Sequence, residues 1–254
     1  MMSHMAATRG SIGDTPRSNG ATRPGAGTAP RASAPAMAWP LWARFLQLMV
    51  GLVLYGVSQA LLVRSGLGLD PWDVFHQGLA ARTGLTIGTW VIVIGVVVLV
   101  LWIPLRQRPG IGTVCNALVL GLFLDTALTL IPQAHALPIR WLLLVAGIVL
   151  CGVATGLYIG AAMGPGPRDG LMVGLANRGH SVRVVRTAIE LTVLVVGFLL
   201  GGTIGIGTAL FAVAIGPIAH LTIPAFARGP VLEERHGPRP LHQRERRELA
   251  CASD

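Results

Sequence analysis

Six long apolar runs divide the chain, at about 41–63, 87–105, 112–132, 138–162, 184–201 and 206–226. At ~1.5 Å of rise per residue each run can cross a hydrocarbon layer of ~30 Å, the shortest with little tilt. The pattern predicts six membrane-spanning helices. Two shorter amphiphilic segments follow the first and fourth runs, "LDPWDVFHQGLA" and "GPGPRDGLMVGLA". Both read as helix starts. Asp70 suits the N-cap, Pro71 the first helical position and Asp73 the third, where a carboxylate favours unpaired backbone N–H groups. Gly166, Pro167 and Asp169 take the same places in the second segment. Each helix then runs for about a dozen residues, ending near Gly84 or Gly179, and is too short to span.

The two segments belong to a larger repeat. Laid without a gap against the chain from Arg140 to Arg178, the stretch from Arg44 to Arg82 is identical at 16 of 39 positions. Matches such as Gly68/Gly164, Pro71/Pro167, Asp73/Asp169 and Gly78/Gly174 carry more information than shared Leu or Val. After one deletion the register resumes with "GIGT" at 110–113 and 205–208. The expected fold is an all-α polytopic membrane protein of two homologous halves, about 41–132 and 138–226. Each half has three transmembrane helices plus one short non-spanning helix. Three crossings per half would invert the halves relative to each other. Arg106, Arg108, the Arg168–Arg186 cluster and both termini then face the cytoplasm, and the 133–139 and "GGTIGIGT" loops face out. If the short helices cross instead, the halves are parallel. The positive-inside rule favours inversion, although Arg64 and Arg82 stay on the outer side.

Composition agrees with a membrane protein. Hydrophobic residues make up 52 % of the chain and charged ones 12 %, about half the charge of an ordinary soluble domain. The membrane domain is expected over 39–226. Residues 1–38, rich in Arg, Pro, Gly and Ala, are expected to be disordered, and 227–254 to form a polar basic tail. The net charge of +9 comes entirely from Arg and gathers in tails and inter-helix loops. That distribution orients a protein against lipid and argues against a nucleic-acid partner. Cys115 and Cys151 lie in apolar runs and read as small core residues.

The stretches "GLGLDPWDVFHQGLAARTGLTIGTW" and "GPRDGLMVGL" resemble the YczE/YyaS/YitT family of bacterial integral membrane proteins, closest to its YczE branch. The likeness covers about 41–226. It implies a multi-pass protein of the bacterial inner membrane, and no established substrate comes with it.

Several side chains carry chemistry. Interrupted helices at matching places in two repeats point to a transporter site, with helix N-termini aimed at a ligand. Asp70, Trp72, Asp73, Arg168 and Asp169 are therefore candidate ligand-binding residues, with Asp73 and Asp169 expected to face one another across the halves. The plainer alternative is that the carboxylates only cap helices. Arg168 replaces Trp72 in the second copy and would either receive an anion or pair with Asp70 or Asp73. Asp125, His220 and Glu190 lie within apolar runs, where charge is expensive. They are candidates for proton coupling, Asp125 and His220 as a matched pair. Their alternatives are headgroup wetting for Asp125 and His220, and an i,i+4 pair with Arg186 for Glu190. Gln47, Gln59 and Asn116 read as interhelix hydrogen-bonders, and His76 and Gln77 as weaker site candidates with apolar twins. No hydrolase, nucleotide-binding or metal motif is present, so no enzyme activity, cofactor or metal is expected. The expected function is a permease or transporter-like role for a small-molecule or anionic substrate, the anion suggested by Arg168. The alternative is an accessory protein acting through a protein partner, with the lipid bilayer a partner in either case.

Overall fold

The computed structural model describes residues 39–227. Of the expected tails, 1–38 and all of 227–254 except its first residue lie outside them. The described residues form helices α1 (Leu41–Ser65), α2 (Pro71–Thr83), α3 (Ile87–Trp102), α4 (Ile111–Leu130), α5 (Leu137–Gly160), α6 (Pro167–Ala176), α7 (Val182–Leu199) and α8 (Ile206–Phe226), with no strand among them. Helices α1, α4, α5 and α8 are each long and apolar enough to cross a membrane. Their outward faces are apolar: Val213 is 75 % exposed and Leu221 74 %, as lipid contact requires. Helices α2 and α3 meet the same test only as a pair, bent by 114° at the short break between them. Helix α7 has 18 residues and carries Arg183, Arg186 and Glu190.

Helices α1 and α5 form the central pair and run in opposite directions. Arg44, near the start of α1, donates from Nε to the Ala161 carbonyl (2.9 Å) and from a terminal nitrogen to that of Ala162 (2.6 Å), just past the end of α5. Arg140, near the start of α5, donates likewise to the Ser65 and Gly66 carbonyls at the end of α1, both at 2.7 Å. Backbones touch along the seam because glycine leaves room. A methyl on Gly51 would come within 2.8 Å of the Tyr158 nitrogen, and one on Gly147 within 2.9 Å of Leu62.

Helix α4 packs on α1, and α8 on α5. Helix α4 begins beside the end of α5, and α8 beside the end of α1. The Gly112 N–H donates to the Met163 carbonyl (3.0 Å) and the Gly207 N–H to that of Leu67 (2.8 Å). In the turns that receive them, Gly68 and Gly164 have φ of +124° and +125°, values that favour glycine. Helix α2 lies on α7 and α6 on α3. The α2–α7 crossing uses Gly78 and Gly197, where a methyl on Gly197 would meet Phe75 backbone atoms at 2.5 Å. Gly201, four residues after Gly197, follows the end of α7 with φ of +107°.

The two sides of the molecule differ in one respect. Helix α3 packs closely on α4, whereas among the described residues α7 stands off α8. The α3–α4 contact depends on Gly88 and Gly121, since a methyl on either would collide with the other's carbonyl oxygen. Gly121's counterpart at the same register in α8 is Gly216, which has nothing within 4 Å of its would-be methyl.

Candidate functional site

The short helices start as their sequences predict. The Asp70 carboxylate accepts from the Asp73 N–H at 2.7 Å, Pro71 opens α2, and Gly84 closes it with φ of +75°. Helix α6 opens at Pro167 after Gly166 and runs 10 residues. Gly166 is an N-cap without a side chain, and Asp169 turns to the Tyr158 hydroxyl, which donates to it at 3.0 Å.

The two starts meet inside the helix bundle. Arg168 projects from α6 toward α2, with guanidinium nitrogens 3.9 Å from Asp70 Oδ2 and 3.6 Å from Asp73 Oδ1. Its charged plane lies 5.1 Å from the Trp72 ring centroid, within cation–π range. Asp70 also accepts from the Gln59 amide of α1 at 2.7 Å. His76 Nδ1 is 3.1 Å from Asp73 Oδ1, one helical turn on. Asp73, His76 and Gln59 are fully or almost fully buried. A cation between two buried carboxylates offsets a desolvation cost that neither carboxylate could bear alone. Trp102 of α3 secures the α6 start by donating its indole N–H to the Pro167 carbonyl (3.1 Å).

A cavity of about 360 Å³ reaches this cluster from between α7 and α8, a size typical of small-molecule sites. Its inner wall carries Asp70, Trp72, Arg168, Asp169, Tyr55 and Tyr158. Arg186, Glu190 and His220 line it on the α7 and α8 sides, and Phe211, Ile215 and Ile223 add apolar surface. On the opposite side of Trp72 and Arg168, between α3 and α4, only about 20 Å³ remains, room for one water.

The candidate residues separate accordingly. Asp70, Trp72, Asp73 and Arg168 come together in one cluster, and Asp169 joins the cavity beside it. Asp73 and Asp169 differ in setting, one buried behind Arg168 and the other at the cavity. Asp125 and His220 are not joined by any contact among the described residues. The Asp125 carboxylate accepts from the Gly88 N–H (2.8 Å) and the Thr86 hydroxyl (2.5 Å), bracing the start of α3, while His220 lies on the cavity wall. Glu190 pairs with Arg186 at 2.9 Å, in the i,i+4 relation. Sequence reasoning underrated His76, whose twin is Met172, and missed Tyr55 and Tyr158, whose register partners are Cys151 and Leu62. Tyr55 stands one turn before Gln59 on α1 and Tyr158 near the end of α5, and only the packing of these two helices brings both rings to the cavity.

Comparison with known proteins adds the family. The chain is 42 % identical over 184 residues to an uncharacterized protein of Haemophilus influenzae, covering 72 % of this chain and 84 % of the relative. It is 34 % identical over 177 residues to the uncharacterized membrane protein YczE of Bacillus subtilis, covering 68 % and 82 %. It is 28 % identical over 201 residues to the uncharacterized protein YyaS of the same organism, covering 76 % and 99 %. No solved structure matches the chain. The profile of a family of unknown function, DUF6198, matches residues 42–224. This integral membrane protein therefore belongs to the DUF6198 family, with YczE and YyaS among its relatives.

Proposed function

We propose that the protein is a permease or transporter-like protein of the bacterial inner membrane, and that its two halves are inverted copies surrounding one small-molecule site. The carrying observation is the buried Asp70–Asp73–Arg168 cluster at two helix starts, opening into a cavity of about 360 Å³. Charge at membrane depth is costly and marks substrate or ion paths. Interrupted helices in matching places of two repeats are where such paths bind their cargo.

The inverted arrangement is supported by reciprocal contacts. Residues Arg44 and Arg140, 96 apart, bind carbonyls that are also 96 apart. Arg82 of α2 donates to the Leu200 carbonyl, and Arg178, just past the end of α6, to that of Pro104. In this reading α2 and α3 together make one crossing, as do α6 and α7, and both termini are cytoplasmic. Arg64, Arg82 and Arg140 fall on the outer side. Each donates to carbonyls at or near a helix C-terminus: Leu128, Leu200, and Ser65 with Gly66. Structural capping therefore accounts for the arginines that depart from the positive-inside pattern.

A thermal-shift screen of purified full-length protein against small metabolites, followed by uptake of each hit into reconstituted vesicles, tests the function. A transporter yields a compound that both raises the melting temperature and accumulates in vesicles. Binding without accumulation would favour the accessory role, and a screen with no binder overturns the ligand site.

A further inference from the structure

The cavity has one open side, and the sequence difference that accompanies this opening is local. In the first half Gly88 and Gly95 line the face of α3 that lies against α4. At the same register in α7 stand Arg183 and Glu190. A methyl on Gly95 would already be 3.2 Å from Ala117 Cβ, so a glutamate in that setting holds two helices apart. The gap opens toward the lipid between α7 and α8, and a ligand in it touches both the apolar α8 wall and the polar cluster.

The polar lining has an excess of acid. Asp70, Asp169 and Glu190 outnumber the arginines Arg168 and Arg186 by one, with the His220 imidazole beside them on the α8 wall. Both guanidinium groups are engaged: Arg186 by Glu190 at 2.9 Å, and Arg168 by Asp70, Asp73 and the Trp72 ring. Among the described residues Asp169 has one hydrogen bond, from the neutral Tyr158 hydroxyl, besides its charge interaction with the adjacent Arg168. The Tyr158 ring stands edge-on to that of Tyr55, with centroids 6.0 Å apart, so aromatic surface adjoins that carboxylate. An anion entering here would meet Asp70 and Asp169 in a medium where like charges repel strongly. A cation would find a carboxylate and aromatic rings.

We propose that the cavity takes an organic cation, an amine or quaternary ammonium on a small apolar body, entering from the bilayer between α7 and α8, with Asp169 and Tyr158 as its recognition pair. This rests on reading the cavity as a ligand site. The apolar wall formed by Phe211, Ile215 and Ile223 receives the body, and Asp169 receives the charge. Arg168 serves as the fixed counter-charge of α2, which separates this inference from the expectation that it captures an anion.

Three probes of similar shape distinguish the cases: 2-phenylethylamine, neutral 2-phenylethanol and anionic 3-phenylpropionate, each titrated into detergent-purified full-length protein by calorimetry. The expected result is tightest binding of the amine. Asp169→Asn should weaken it about tenfold or more, because it removes a charge-assisted contact while preserving shape. Tyr158→Phe should weaken it less. If Asp169→Asn fails to fold, the ranking of the three probes on the unaltered protein still decides. Preferential binding of 3-phenylpropionate overturns the cationic class and leaves the cavity as a ligand site. Equal binding of all three, or of none, also overturns the cationic class, and the metabolite screen judges the site independently.

Discussion

Arg44 and Arg140 make the same pair of bonds at opposite ends of the α1–α5 seam, each guanidinium spanning two consecutive carbonyls past the end of the facing helix. Those carbonyls lack partners within their own helices, and a planar two-pronged donor satisfies both. Arg44→Ala and Arg140→Ala should each destabilise the detergent-solubilised protein by about 1–3 kcal/mol, read as a lower melting temperature. Lys at either position should restore only part of the loss, since its single ammonium lacks the fork. Full rescue by Lys would show that charge alone matters.

The close α3–α4 contact and the open α7–α8 gap give matched glycines opposite sensitivities. Gly121→Ala should cost about 1–3 kcal/mol, because the methyl collides with the Gly88 carbonyl. Gly216→Ala, at the same register in α8, should be neutral or stabilise by about 0.5–1 kcal/mol through helix propensity. Equal costs in a thermal melt would mean that α8 has a neighbour at this position in the bilayer.

Arg168 holds two carboxylates, so its removal should be the most damaging single change at the cluster. Arg168→Ala leaves Asp70 and Asp73 with no arginine within 4 Å among the described residues, and Asp73 with the His76 ring nitrogen at 3.1 Å, a loss of about 3–5 kcal/mol. Adding Asp73→Asn to that variant should recover part of the loss. A double variant no more stable than Arg168→Ala would argue that Asp73 is compensated by another group.

The proposed inverted arrangement with cytoplasmic termini makes a topology prediction. Reporters fused after Arg108 should report the cytoplasm, and those after Gln133 the outside. The reverse assignment would undo the inverted reading while leaving the helix packing intact.

Asp125 tests the proton-coupling expectation. Its two accepted bonds at the start of α3 predict that Asp125→Ala costs about 1–2 kcal/mol in a thermal melt, and that Asp125→Asn costs less because the amide oxygen still accepts one of them. A carrier role requires instead that Asp125→Asn abolish proton-coupled uptake at normal stability. Uptake in vesicles of the two variants separates the cases.

Local signals carried the reading wherever the physics is local. Pro71 and Pro167, each with a carboxylate two residues later, fix helix starts through backbone geometry, so α2 and α6 were legible to within a residue at their N-termini. Helices α1, α4, α5 and α8 were legible from apolar length, each starting within a residue of the runs that begin at 41, 112, 138 and 206, whereas the runs at 87–105 and 184–201 gave helices that are not by themselves long and apolar enough to span. What the sequence left hidden depends on distant partners. Asp125 looked like a titrating group because Thr86 and Gly88, which it braces, are 39 and 37 residues away. The cavity's open side lies where Arg183 and Glu190 stand at the register of Gly88 and Gly95, a contrast that only the helix packing ties to a gap. His76 was discounted for its apolar twin, although divergence between copies is where a duplicated site acquires new chemistry.

Trp72 and Arg168 occupy one register in the two copies and lie face to face 5.1 Å apart. Were both positions filled alike, a molecule bound on the dyad would have two poses of equal energy, related by rotation. That degeneracy is worth only RT ln 2, about 0.4 kcal/mol, but it erases the distinction between head and tail. An indole on one side and a guanidinium on the other leave a single pose. On the proposed ligand-site reading, a ligand with unlike ends would lie one way round, and the same end of every bound molecule would face the same side of the membrane.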